Sequence, residues 1–286
     1  MSVLSTFKAI IILLVVQLST GVAVAQSPAT DVQKQRVLFQ ARLSDAGPVI
    51  PKGVLWRIFS AIPEPDGDLP ELASAVGGSK AFDMEPGDYL VHVAYGHAGA
   101  IKKITIGNEP SKEEFTLNAG GLKLTATASD NVPIPARMLR FDIYEEEVLE
   151  NGERKLLARN IRPDTVIAFP VGTYHVVSRF GNLNATVRAD LRVRLDKLTE
   201  ASLQHRAAIL TFRLVRSAGG DAVADTAWSI LTENGEVIQE SNSTFPSMVL
   251  AEGNYTAIAK HDDAVYSQDF RVRSGFNTDV EVLAPN

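Results

Sequence analysis

The chain has 286 residues, no cysteine and a formal net charge of −6, with 45% hydrophobic and 22% charged residues. That length suits two or three domains of ordinary size, and the absent cysteines exclude a disulfide framework and thiol chemistry. The acidic balance excludes the strongly basic footprint that nucleic acid demands.

At the N-terminus Lys8 precedes the apolar run Ala9 to Leu18, and Ala23-Val24-Ala25 stands before Gln26. A basic start, a short apolar stretch and a small-residue end predict a secretory signal peptide over residues 1–25. The other reading is an uncleaved anchor, but the run is shorter than the roughly 20 residues a spanning helix needs. No later apolar run is long enough, so the mature protein is expected to carry no membrane span. Loss of Lys8 with the peptide takes the formal charge from −6 to −7. The expected location is the bacterial periplasm or the medium.

Residues 26–34 read as a flexible leader. The first domain, 35–118, opens with the strand-like run from Val37 to Leu43. Val54 to Phe59 follows, with Trp56 and Ile58 on one face at period two. After a turn-rich insert around Asp66-Gly67, Lys80 to Met84 leads into Gly87, and Tyr89 to Tyr95 and Ala100 to Ile106 form a predicted hairpin. The second domain, 119–204, repeats the order. Leu122 to Thr127 and Leu139 to Tyr144 come first, Asn151-Gly152 is a two-residue hairpin turn, and Tyr174 to Phe180 follows Gly172. Arg188 to Asp196 alternates apolar and charged residues, which needs a sheet with one dry and one wet side. The third domain, 205–286, runs through Ile209 to Val215, Thr226 to Leu231, Asn234-Gly235, Met248 to Leu250, Tyr255 to Lys260 and Gln268 to Arg273.

Three signals share one register. Trp56, Phe141 and Trp228 fall at one position, the Asp-Gly and Asn-Gly turns at another, and Gly87, Gly172 and Gly253 each stand two residues before Tyr89, Tyr174 and Tyr255. The glycines are 85 and 81 residues apart. A fixed spacing of this kind predicts a tandem repeat. The predicted fold is all-β, three small antiparallel Ig-like or prealbumin-like β-sandwiches in tandem, because a sheet with one apolar face must bury it against another layer. The Trp and Phe positions are core. The recurrent Gly is expected to supply a positive φ or a close approach, and each Tyr hydroxyl to find a backbone partner. The short joints predict limited bending between domains.

Chemistry is sparse. His92 and His97 fall on opposite strand faces, and His261-Asp262-Asp263 sits in a turn, so neither metal nor cofactor is expected. No nucleophile or phosphate-loop motif is present, and no catalytic residue is assigned. A triad is defined by geometry, so a hydrolase built from a folded-together His and Ser stays as an alternative. Arg188, Arg192, Arg194, Arg206, Arg213 and Arg216 concentrate positive charge around the second joint. They read as routine partners of Asp190, Asp196 and Glu145 to Glu147, or as a patch for an anionic envelope partner. The first reading is the expectation.

The segments Met84-Glu-Pro-Gly-Asp-Tyr-Leu-Val, Phe169-Pro-Val-Gly-Thr-Tyr-His-Val and Leu250-Ala-Glu-Gly-Asn-Tyr-Thr-Ala resemble the L-x-x-G-x-Y strand start of prealbumin-like sandwiches. That group includes Cna protein B-type and carboxypeptidase regulatory-like domains. The resemblance covers about half of residues 26–286. It implies a non-catalytic spacer, accessory or ligand-binding module. The strands after each Tyr lack the Glu that assists self-crosslinking in Cna B-type domains, so no internal crosslink is expected. The resulting expectation is a non-enzymatic envelope protein with a structural or interaction role, whose partner is another envelope protein or a cell-wall or surface glycan.

Overall fold

A computed structural model describes residues 33–129 and 131–285. The predicted signal peptide, and the leader as far as residue 32, lie outside the described residues. Strands β1 (Gln35–Arg42), β2 (Val54–Ser60), β3 (Glu71–Gly77), β4 (Lys80–Met84), β5 (Gly87–Tyr95), β6 (Ala98–Ile106) and β7 (Ser111–Thr116) form two sheets, β4-β1-β7 and β3-β2-β5-β6.

The second set is β8 (Ala119–Ala128), β9 (Val132–Pro133), β10 (Leu139–Val148), β11 (Arg154–Ile161), β12 (Val166–Pro170), β13 (Gly172–Phe180), β14 (Thr186–Val193) and β15 (Leu198–His205). It gives β12-β8-β15 and β11-β10-β13-β14, with the two-residue β9 on the side of β8. The third is β16 (Ala207–Val215), β17 (Thr226–Thr232), β18 (Val237–Ser241), β19 (Ser247–Ala251), β20 (Gly253–His261), β21 (Ala264–Val272) and β22 (Thr278–Leu283). Its sheets are β19-β16-β22 and β18-β17-β20-β21. The fold is therefore all-β, the same two-sheet sandwich three times.

Pairing is antiparallel except that β1 and β7, β8 and β15, and β16 and β22 run parallel. The cause is topological: the main strands of each set reverse direction in turn, so the first and last of seven point the same way.

Each sandwich closes on its own core. Trp56, Phe141 and Trp228 are at most 1% exposed, and Ile58, Ile143 and Ile230 are buried beside them. Phe39 and Phe115 pack on Trp56 with centroids 5.6 Å apart from each other, and Phe212 packs on Trp228 at 5.8 Å. The Trp56 indole N–H donates to the Gly78 carbonyl at 2.9 Å.

The three Gly turns are identical in hydrogen bonding, and longer than the two-residue loop expected at Asn151-Gly152. Gly67, Gly152 and Gly235 donate to the carbonyls of Glu64, Leu149 and Thr232 at 2.9 Å, and those three residues donate onward to Asp68, Glu153 and Glu236. The glycines have φ of +90°, +81° and +86°. This is a three-residue loop ending in a left-handed glycine, the bulged hairpin form.

Of the recurrent glycines before the tyrosines, one behaves as expected and two do not. Neither Gly172 nor Gly253 has a positive φ, whereas Gly87, at φ +155°, meets the expectation. A Cβ at Gly172 or Gly253 would meet its own Tyr ring at 3.7 and 3.5 Å, ordinary contact. Positive φ is needed seven residues after each Tyr, at Gly96 (+62°), Gly181 (+72°) and Asp262 (+51°).

Candidate interaction surfaces

Each recurrent Tyr ties its strand back to the chain before it. The Tyr89, Tyr174 and Tyr255 hydroxyls donate to the carbonyls of Glu85, Pro170 and Ala251 at 2.9, 2.8 and 2.9 Å, always four residues back. This is the hydroxyl-to-backbone tie known as a tyrosine corner in Greek-key sandwiches.

The same corner receives the neighbouring sandwich. At the first joint Gly96, in the β5–β6 turn, lies so close to β12 that a Cβ would be 2.8 Å from the Ala168 carbonyl oxygen. The His97 N–H donates to that oxygen at 2.8 Å. The His97 ring stacks on Phe169 at 4.8 Å, and Phe169 tilts onto Tyr174 at 5.0 Å. Burial there pushes the His97 pKa down. Ala168 itself is buried in the core of the first sandwich.

At the second joint Gly181, in the β13–β14 turn, leaves 2.8 Å between a would-be Cβ and that of Val249. Leu183 packs against the third core. The Asn184 side chain donates to the Tyr255 hydroxyl at 2.9 Å and accepts from the Ala251 N–H at 3.0 Å. Ala168 and Val249 both stand four residues before the recurrent Gly, so the two joints use one geometry. Backbone bonds repeat as well: Val171 N–H to Asn118 O at 3.0 Å and Glu252 N–H to Arg206 O at 2.8 Å.

The six arginines differ in their partners. Arg206 pairs with Glu252 at 2.7 Å, and Arg213 with Glu281 and Asp279 at 2.7 and 3.3 Å. Arg216 is exposed beyond the end of β16. Arg188 and Arg192 lie exposed on the edge strand β14, and Arg194 follows them past its end. The expected routine pairing fails for these three, which make no ion pair among the described residues. Asp190, between Arg188 and Arg192, is held by His175 at 2.7 Å, and Glu145 is held by Lys155 at 2.8 Å. The cause is strand geometry: cross-strand neighbours decide pairing, and Arg188 and Arg192 face Val177 and Thr173. Arg192 and Arg194 line a shallow groove with Lys197, Thr199 and Glu200.

Two histidines gain polar partners that spacing could not show. His175 Nδ1 is 2.7 Å from Asp190, with Tyr144 edge-on at 6.4 Å. That pair orients an imidazole, but its described hydrogen bonds include no nucleophile. His205 Nε2 is 2.8 Å from the Ser178 hydroxyl. Ser178 and His205 are 0% and 1% exposed, so no substrate reaches them. Desolvation pushes the His205 pKa down to about 4, so the ring is neutral. No three His, Asp or Glu among the described residues are placed to hold a metal ion. No described helix is long and apolar enough to cross a membrane.

A surface missed in the sequence lies on the first sandwich, between β3 and β4. Ile58, Leu72, Ala73, Phe82, Met84 and Tyr89 line a cleft of about 340 Å³, with Lys34, Asp83 and Glu85 also lining it. Its missing signal was β3, whose large residues Leu72 and Val76 point outward while Ala73 and Ala75 face in.

Residues 209–284 match the family model of the Rhizobiales growth-associated tandem repeat domain. That span is the third sandwich. No curated protein matches the chain in sequence. Among solved structures, the Bacillus anthracis TIE protein is similar at 14% identity and TM-score 0.26, over 89% of this chain and 51% of that one. The chain thus spans about half of that protein. The minor pilin GBS52 of Streptococcus agalactiae is 13% identical over 60% of this chain and 95% of that one, at TM-score 0.32. A streptococcal ancillary pilin is 12% identical over 89% of this chain and 100% of that one, at TM-score 0.34. At such scores these likenesses carry no argument, and the sandwich fold rests on the strand pairing.

Proposed function

We propose that the chain is an exported, non-enzymatic protein of the cell envelope with a structural or protein-interaction role. The observation that carries this reading is the repeated joint. The tyrosine-corner end of a sandwich is used twice within the chain to hold a turn of another sandwich, so the surface that recurs is one that binds protein. The repeats, bounded at 35–118, 119–204 and 205–286, are modules of the prealbumin-like type. The common strand order and the Gly-x-Tyr start support that assignment. The growth-associated description of the family matched by the third sandwich suits a role in a growing envelope.

The test is fractionation with in-cell crosslinking of the native protein. Recovery outside the cytoplasm, crosslinked to specific envelope proteins, is expected. Recovery in the cytoplasm would refute it, as would a hydrolytic activity of the pure protein that disappears in His175→Ala.

Arg188, Arg192 and Arg194 favour a second reading, binding of an anionic envelope polymer along β14. Three exposed cations with no ion pair among the described residues, in an acidic protein, are an electrostatic invitation to a polyanion. Binding to polygalacturonate that weakens with salt and is lost when all three become Gln would support it. Unchanged binding in the triple variant would remove it.

A further inference from the structure

The joints make the first sandwich an exception. Val249, Ala251 and Tyr255 receive the turn of the second sandwich, and Ala168 and Phe169 that of the first. The equivalent positions in the first sandwich are Asp83, Met84, Glu85 and Tyr89, each at the same distance from its recurrent Gly. No described element covers them. They line the 340 Å³ cleft, and Leu72 at its edge is 55% exposed. Tyr89 is correspondingly more open than Tyr174 and Tyr255, which are buried.

Charge distinguishes this end from the joints. The joint positions Ala168 and Val249 are apolar and buried, whereas Asp83 and Glu85 are acidic and exposed. The exposed turn of the third sandwich, which would enter the cleft in an end-to-end stack of copies, carries Asp262 and Asp263. Its left-handed position is Asp262, where both joints place a Gly with no room for a Cβ. Acid would meet acid, and a side chain would meet β4. A second copy is therefore the wrong occupant.

We propose that the cleft between β3 and β4 is a docking site for a β-hairpin turn of another protein. That turn has Gly at its left-handed position and a basic residue beside it. The mode is the one by which the second and third sandwiches each hold the turn before them. The apolar floor takes the turn's hydrophobic residue, as the third core takes Leu183. Asp83 and Glu85, two acids against the single Lys34 on the same lining, select a cationic turn and reject the chain's own acidic one. This proposal rests on the protein-interaction reading above and gives it a partner class.

The test titrates the isotope-labelled full chain with a disulfide-closed peptide of residues 178–186, the turn of the second sandwich, by NMR. A second peptide carries Asn182→Lys. At millimolar peptide, amide shifts confined to the cleft residues are expected. The lysine peptide should bind about threefold more tightly at low salt, the scale of one exposed ion pair. That advantage should vanish in the Asp83→Asn, Glu85→Gln chain. Leu72→Glu, at an exposed position that folding does not need, should weaken binding about tenfold with an unchanged melting temperature. A peptide carrying Gly181→Val should not bind. Absent shifts, shifts elsewhere, or equal binding by the Val peptide would overturn the proposal. An in-cell crosslinked partner whose contacts fall outside the cleft would overturn the site while leaving the functional reading. Cleft binding by a protein found in the cytoplasm would do the reverse.

Discussion

The Tyr174 hydroxyl donates to the Pro170 carbonyl at 2.8 Å while the ring packs against Phe169, which in turn carries the stacked His97 of the first sandwich. One side chain therefore closes its own sandwich and supports the joint. The corresponding bond in the third sandwich does more, because the Tyr255 hydroxyl also accepts the Asn184 amide across the second joint. In the first it does less, since nothing described rests on Tyr89.

Replacing these tyrosines with Phe should produce a graded series. Tyr89→Phe removes one partly solvated hydrogen bond and should cost about 0.5–1 kcal/mol. Tyr174→Phe removes a buried one, about 1–1.5 kcal/mol. Tyr255→Phe removes two hydrogen bonds, the one it donates to Ala251 and the one it accepts from Asn184, and should cost about 2–3 kcal/mol. Urea denaturation of the full chain would read the order. Equal losses at all three would mean that the joints do not load the corner.

Glycine substitutions should separate repetition from need. Gly172→Ala and Gly253→Ala put a Cβ at ordinary distance from a Tyr ring on extended backbone, and should change stability by less than about 1 kcal/mol. Gly96→Ala and Gly181→Ala must fit a Cβ within 2.8 Å of β12 or β19 on left-handed backbone. A loss of about 1–3 kcal/mol is expected, with melting measured for all four. If the two pairs behave alike, the joints yield freely and their packing is not what fixes these turns.

The large apolar residues at period two, Trp56 with Ile58 and Trp228 with Ile230, announced the cores because alternation is imposed by the pleat. Strands β3, β11, β15 and β18 were not announced. They are edge strands, and β3 and β15 turn small or weakly apolar residues inward, such as Ala73, Ala75, Thr199 and Ala201. The Gly-x-Tyr spacing revealed the repeat and the positive φ at Gly87, but not the left-handed turns at Gly96 and Gly181, because φ there depends on tertiary contact. The joints were illegible for the same reason. Nothing local marks Ala168 or Val249 as residues that receive another sandwich. The charge series on β14 was visible, but which acid each arginine meets depends on strand neighbours.

The Trp positions differ in a way that composition hides. Trp56 donates its indole N–H to the Gly78 carbonyl, whereas the buried Trp228 indole nitrogen has no partner among the described residues. Trp56→Phe should therefore lose a hydrogen bond as well as volume and exceed Trp228→Phe by about 1–2 kcal/mol. The second sandwich already carries Phe141 at this place. Calorimetry on the two variants decides it, and a larger loss for Trp228→Phe would show that an unseen partner satisfies that indole.

The Ser178–His205 pair makes stability depend on pH. Its counterparts are Val93 and Leu117 in the first sandwich and Ala259 and Ala284 in the third, all buried and apolar. Burial holds the folded His205 pKa at about 4, against about 6.5 in an unfolded chain. Above pH 6.5 the ring is neutral in both states and costs nothing. As pH falls toward 4, the unfolded chain takes up a proton that the folded one refuses, so stability falls. The slope is about 1.4 kcal/mol per pH unit and the total on the order of 3 kcal/mol, complete once pH drops below the folded pKa. The depressed pKa of His97 acts with the same sign. The double variant Ser178→Val, His205→Leu copies the first sandwich and should flatten the fall between pH 7 and 4.5, measured as urea midpoints across that range. If the variant keeps the parent's slope, other groups carry the acid sensitivity, and the Ser178–His205 pair is electrostatically silent.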